Sequence, residues 1–204
     1  MSTNKNKTVE PKFLSTKTSF QIWIKALIHP WPSTYSEFAL IEVKPQQSFL
    51  WVGYSTGLIW LIGILESLCL KRNINYSNAL LGILSIPFSI IGFMFVIALI
   101  NVSARILGGR NKYKELAFST SCFYTTSILV LFFLSMNSSM VFTILFFAFD
   151  LYFIYLSLLS IKGTYDFSWS RAIAVYFLSL FLLFLIAVFA LLIAYPIFLS
   201  RLHL

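Results

Sequence analysis

Charge is what this sequence most conspicuously withholds. Charged residues are 11% of the chain, and none falls between Asn73 and Ala104, between Leu116 and Phe149, or between Ala172 and Ser200. Each stretch exceeds the roughly 20 apolar residues that carry an α-helix across a hydrocarbon core of about 30 Å. A soluble domain rarely goes so long without charge, so a polytopic membrane protein is expected. Cysteine and histidine are nearly missing as well. Cys69 and Cys122 are the only cysteines, and the spans place them at different membrane depths, too far apart for a disulfide. His29 and His203 fall on opposite sides of the membrane, and no His, Cys and carboxylate set has ligand spacing, so no metal site and no cofactor is expected. Also absent are the Gly-x-Ser-x-Gly, His-Glu-x-x-His and Gly-rich phosphate-binding patterns, and the chain reads as non-enzymatic. Residues before Ile41 carry no short apolar stretch with a small-residue cleavage site, which leaves the first span to act as insertion signal.

What fills the chain instead is apolar: 59% hydrophobic residues, 22 of them Phe, among 204 in all. Spans are expected at about 49–70, 80–103, 116–135, 140–161 and 175–199. The third and fourth share one charge-free stretch that would be about 50 Å long as a single helix, and Asn137-Ser138-Ser139 is the obvious turn within it. The expected fold is therefore an all-α membrane protein, a five-helix transmembrane bundle with one or two short N-terminal interfacial helices. In this division residues 1–18 form a disordered Ser/Thr/Asn/Lys-rich tail, 19–44 the interfacial helices and 45–204 the transmembrane domain. Phe20, Trp23, Ile24, Leu27 and Ile28 recur at helical spacing, as a helix lying in the headgroup region requires. Thr34 and Glu37 have capping-box spacing for a second short helix.

Positive charge sets the orientation. Five spans divide the 15 Lys and Arg residues so that all except Lys71, Arg72 and Arg201 share the N-terminal side. The positive-inside rule makes that side cytoplasmic, and a plasma-membrane location with the C-terminus outside follows. Trp23, Trp31, Trp51 and Trp169 fall at the same boundary, where indoles settle. The net charge of +8 then implies anionic lipid headgroups at the cytoplasmic face. No basic run has the aromatic interleaving of a nucleic-acid site.

A few residues break the apolar pattern. Asp150 lies ten residues into the fourth span, near the midplane, where a charge costs at least about 2.5 kcal/mol. It either hydrogen-bonds to the hydroxyls of the third span (Ser119, Thr120, Ser121, Tyr124, Thr125, Thr126, Ser127), tying two helices together, or serves small-solute or proton-coupled transport. Glu66 is placed to snorkel to the outer interface beside Lys71 and Arg72. Gly53 and Gly57 share one face of the first span, for packing within the bundle or for a homo-oligomer. Pro87 predicts a kink in the second.

The loops carry a family likeness. Ala104-Arg105-Ile106-Leu107-Gly108-Gly109, followed by Tyr113-Lys114-Glu115-Leu116, resembles the A-R-x-x-G-G … F/Y-x-x-L signature of Yip1-domain proteins. Ile161-Lys162-Gly163 with Phe167-Ser168-Trp169-Ser170-Arg171-Ala172 is similar to that family's last cytoplasmic loop, and His29-Pro30 with Ser48-Phe49 to its lead-in. Together these cover roughly residues 27–199. Tyr124 is followed by Thr125, Thr126 and Ser127 where members often place a proline, and the acidic Asp-Leu-x-Gly-Pro stretch of Rab-binding members has no counterpart. The resemblance thus points to prokaryotic-type members and carries over no GTPase binding. It implies a scaffold that organises membrane or an unidentified membrane-protein partner through its cytoplasmic loops. Arg105, Gly108, Gly109, Arg110, Lys112 and Lys114 are the candidate residues.

Overall fold

Withheld charge and abundant Leu, Ile and Phe leave the backbone one way to satisfy itself in lipid, the α-helix. The computed structural model describes residues 16–41, 46–69, 76–135 and 140–202, with side chains described over 18–41, 46–65, 82–125, 127, 130 and 140–193. These residues form α1 (Thr16–Ile28), α2 (Pro32–Leu40), α3 (Gln46–Cys69), α4 (Tyr76–Ile106), α5 (Tyr113–Ser135), α6 (Met140–Tyr165) and α7 (Trp169–Leu202), with no strand among the described residues. Four helices are long and apolar enough to cross a membrane: α3 over Gln46–Leu65, α4 over Gly82–Ile106, α6 and α7 over Trp169–Ile193. The protein is an α-helical membrane protein. The expected count of five is not reached by that criterion, and α5 is the helix outside it, its second half lying mostly beyond the described side chains.

The bundle is apolar on its outside. Phe88, Ile91, Phe147, Leu151, Phe177, Phe184, Phe189 and Leu191 are all exposed along α4, α6 and α7, as a lipid-facing surface requires. Burial gathers instead toward the end where α4 meets α5 and α6 meets α7. Successive helices run antiparallel. Phe49 faces Phe93, Thr56 Oγ1 lies 2.9 Å from Ser89 Oγ, and the Trp60 ring covers Gly82, so α3 ascends as α4 descends. Phe123 and Tyr124 meet Phe153, while Ser119 meets Ser160, giving the same sense to α5 and α6. α4 continues unbroken across Pro87. The turn at Asn137 lies outside the described residues, as do residues 1–15 and 42–45; α1 begins at Thr16, inside the stretch expected as tail.

The N-terminal helices pack against α5 and α6, reaching the last turns of α6 at Gly163. Tyr35, Phe38, Ile22 and Ala26 join Trp51, Phe118, Cys122, Phe123, Leu156 and Leu159 in one buried cluster. The Tyr35 hydroxyl donates to Ala26 O at 3.0 Å, the Tyr152 hydroxyl donates to Leu27 O, and Ser36 Oγ donates to Gly163 O at 3.2 Å. Burial pushes the Tyr35 phenol well above its ordinary range, so it remains a neutral donor. The buried face of α1 is Ser19, Ile22 and Ala26, whereas Phe20, Ile24 and Ile28 of the expected lipid stripe stay exposed. Phe20, Ile24 and Ile28 thus point away from the bundle, as the expected lipid-facing stripe requires, while Trp23 and Leu27 of that stripe are partly buried against the core. Trp23 and Trp51 meet edge to face at 5.3 Å, Trp51 buried and Trp23 partly so, which leaves the Trp51 indole facing protein and not a membrane boundary. The capping box is also absent: Pro32 opens α2 without a side-chain cap, Thr34 Oγ1 donates to His29 O, and Glu37 pairs with Lys25.

Gly163 makes the seat possible. A Cβ there would stand 2.7 Å from Tyr35 Cβ, 2.9 Å from Ser36 N and 3.0 Å from Pro32 O. Gly163→Val is expected to lower stability by about 1–3 kcal/mol. It should also expose fully buried Cys122, read as faster labelling by a membrane-permeant maleimide at unchanged helical content.

Candidate functional site

The two loops that break the charge-free stretches meet at one end of the bundle. The first begins where α4 stops. Gly108 adopts φ +89°, Gly109 N donates to Ala104 O at 2.8 Å and Gly108 N to Arg105 O at 3.1 Å. This pair of bonds is a Schellman closure, which favours glycine at the left-handed position. Gly109 then has no room for a side chain: a Cβ would lie 2.8 Å from Ala104 O and 2.9 Å from the Phe167 ring. α6 ends in the same way, with Asp166 at φ 55° and Phe167 N donating to Lys162 O at 3.2 Å. Asp tolerates this conformation better than most non-glycine residues.

Asn101 joins the two loops. It sits one turn before Arg105, nearly buried, and uses both ends of its amide. Its Oδ1 accepts from the Tyr165 hydroxyl at 2.6 Å and from Lys112 N at 3.3 Å, while Nδ2 donates to Asn111 Oδ1 at 3.0 Å. Tyr165 stacks on Phe167 at 5.4 Å, over Gly109. Lys112 Nζ donates to Thr164 O at 2.7 Å, across from one loop to the other. Just inside, Ser119 Oγ lies 2.7 Å from Ser160 Oγ and 2.9 Å from Thr164 Oγ1, and Thr120 Oγ1 lies 3.0 Å from Ser160 Oγ. Lys162 Nζ donates to Phe167 O at 3.0 Å and stands 5.5 Å from the centre of the Trp169 ring, which stacks on Tyr155. Of the α5 hydroxyls expected to hold Asp150, Ser119 and Thr120 are engaged by α6 near its loop end and Ser121 and Thr125 by their own helix, while Ser127 Oγ is buried without a partner among the described residues.

The candidate residues separate into two groups. Gly108, Gly109 and Lys112 are built into the joint. Arg105, Arg110 and Lys114 are exposed around it, as is Arg171, and none of these side chains has an ion pair or hydrogen bond among the described residues. Asp150 is half-buried, and no hydrogen bond reaches its carboxylate among the described residues. Gly53 and Gly57 pack on Ile86 and Ile90 of α4, so this face is taken within the chain. The Glu66 side chain lies outside the described residues. No group of three His, Cys, Asp or Glu could hold a metal among the described residues. Sequence reading missed Asn101, Asn111 and Tyr165. The signal for Asn101 was present, since an amide inside an apolar span demands a partner, but the partner lies 64 residues away.

Asn101→Leu should be the more damaging change at this joint, because it strands the Tyr165 hydroxyl and Asn111 together. A loss of about 2–3 kcal/mol is expected, against about 1 kcal/mol for Tyr165→Phe. The double variant should cost less than the sum, measured as thermal midpoints in detergent.

No family model, no curated protein and no solved structure matches this chain.

Proposed function

We propose that this chain is a non-enzymatic, five-span scaffold of the Yip1-domain type, organising anionic lipids and a partner membrane protein through its cytoplasmic face. The observation that carries this reading is the joint itself: the two segments bearing the family likeness are hydrogen-bonded to each other and ringed by unpaired cations. A rigid, basic, outward-facing platform suits binding to acidic surfaces. Four such cations near an anionic leaflet supply about 4 kcal/mol, enough to position the protein and attract an acidic partner. α5 supports the fifth span: its 23 residues reach about 34 Å, antiparallel to α6. With α5 counted, the joint falls on the cytoplasmic side by the positive-inside rule, in a plasma-membrane setting.

Charge reversal of Arg105, Arg110 and Lys114 together tests the reading, with Lys112 left in place because it is structural. Anionic phospholipid and protein recovered from native membranes by crosslinking should fall severalfold, with thermal stability unchanged. Unchanged recovery would sink the platform. Topology is checked by single cysteines at Arg110 and Ser138, which should label from opposite faces of the membrane.

Transport through Asp150 is the competing reading, favoured by one fact: its carboxylate lacks the expected hydroxyl tie. Asp150→Asn is nevertheless expected to keep cellular function with a modest loss of stability. A variant that inserts normally yet loses all activity would transfer the function to transport.

A further inference from the structure

α1 and α2 are held against α6 from Tyr152 to Gly163, about 16 Å of its length. That stretch is the loop-end half of α6, beside the joint. Five polar side chains collect between the two helices. Gln21, Lys25, His29, Thr34 and Glu37 line a cleft of about 500 Å³, with Ile24 and Trp31 as its apolar wall. Volumes of roughly 300–1,000 Å³ are typical of small-molecule sites.

Lys25 Nζ and Glu37 Oε2 are 2.6 Å apart, yet their side chains remain 47% and 61% exposed. An exposed ion pair is ordinary in water and expensive beside acyl chains. Trp31 is 65% exposed at the same place, an indole left open by the described residues. The cleft combines a cation, an imidazole, a carboxylate and an apolar wall on a helix pair packed against a membrane-spanning helix. A phospholipid matches each of them, since its headgroup carries the counter-charges and its chains lie along the wall.

We propose that the α1–α2 cleft binds the headgroup of a phospholipid carrying a primary amine. The phosphate is bound by Lys25 and His29, the ammonium by Glu37, and the first methylenes of an acyl chain lie along Trp31 and Ile24. A primary ammonium donates charge-assisted hydrogen bonds to a carboxylate, whereas the quaternary ammonium of a choline headgroup has no N–H to give. The site is independent of the scaffold reading, because it depends only on the hairpin's position beside α6.

Trp31 reports occupancy directly. The full chain in nanodiscs of uncharged, unbrominated background lipid is titrated with phosphatidylethanolamine, phosphatidylcholine or phosphatidylglycerol bearing the same brominated chains. The signal is the quenching lost in Trp31→Phe. Phosphatidylethanolamine should quench at about tenfold lower mole fraction than phosphatidylcholine, the ratio that one charge-assisted hydrogen bond supplies. Glu37→Gln should abolish that preference, and His29→Gln, whose side chain makes no bond that holds the hairpin, should weaken phosphatidylethanolamine and phosphatidylcholine alike. Cys122 labelling shows whether a variant has unseated the hairpin. The wild-type comparison decides even where a variant does. Equal quenching by the three lipids, a preference for choline through cation–π contact with Trp31, or a preference for the glycerol headgroup would each overturn the proposal.

Discussion

A polar group placed in hydrocarbon must find its partner inside the protein, and this constraint organises the whole molecule. Helices satisfy the backbone, but side chains such as Asn101, Ser119, Ser160 and Thr164 need one another. They are therefore gathered at a single end of the bundle, where α4, α5 and α6 approach closely. Serine and threonine suit this role twice over. They are small enough to bring helices together, and each hydroxyl can bond across to a neighbour or back to its own helix, as Ser121 and Thr125 do.

The consequence is a graded bundle. At the loop end, Asn101, Tyr165 and Lys112 lock two loops whose helix closures leave no slack. Toward the other end of α6 and α7, large apolar residues face outward and few side chains are buried. Among the described residues, those outward apolar side chains suit contact with lipid. The same gradient explains why Lys112 behaves unlike its neighbours: it sits where two loops are joined, while Arg110 and Lys114 point out of the joint.

The N-terminal hairpin extends the principle. Its own carbonyls at Ala26 and Leu27 receive hydroxyl donors from Tyr35 and Tyr152, which stops the turn at His29–Trp31 from carrying unsatisfied backbone alongside the spans. Gly163 permits the contact because only a missing side chain lets Pro32 and Ser36 come so near. Packing against α5 and α6 then fixes which face of α1 is left for the surroundings: Phe20, Ile24 and Ile28.

Local chemistry made much of this protein legible from its sequence. The absence of charge over Asn73–Ala104, Leu116–Phe149 and Ala172–Ser200 made helices long and apolar enough to span legible at α4, α6 and α7, because hydrophobic length is a property of the chain itself, whereas α5 falls short of that criterion over its described residues. Gly108-Gly109 determined a helix stop, because a left-handed residue is a local requirement. Partners were another matter. Asn101 meets Tyr165, Ser36 meets Gly163, and Trp23 meets Trp51 across separations that no periodicity encodes. The outward stripe of α1 was visible, yet the burial of Ile22 and Ala26 on its other face was not, since that depends on Tyr35 and Phe118 being present to receive them. For the same reason Lys112, Arg110 and Lys114 read as one basic run. Only the fold, by bringing the Thr164 carbonyl to Lys112, divided it into a strut and a surface.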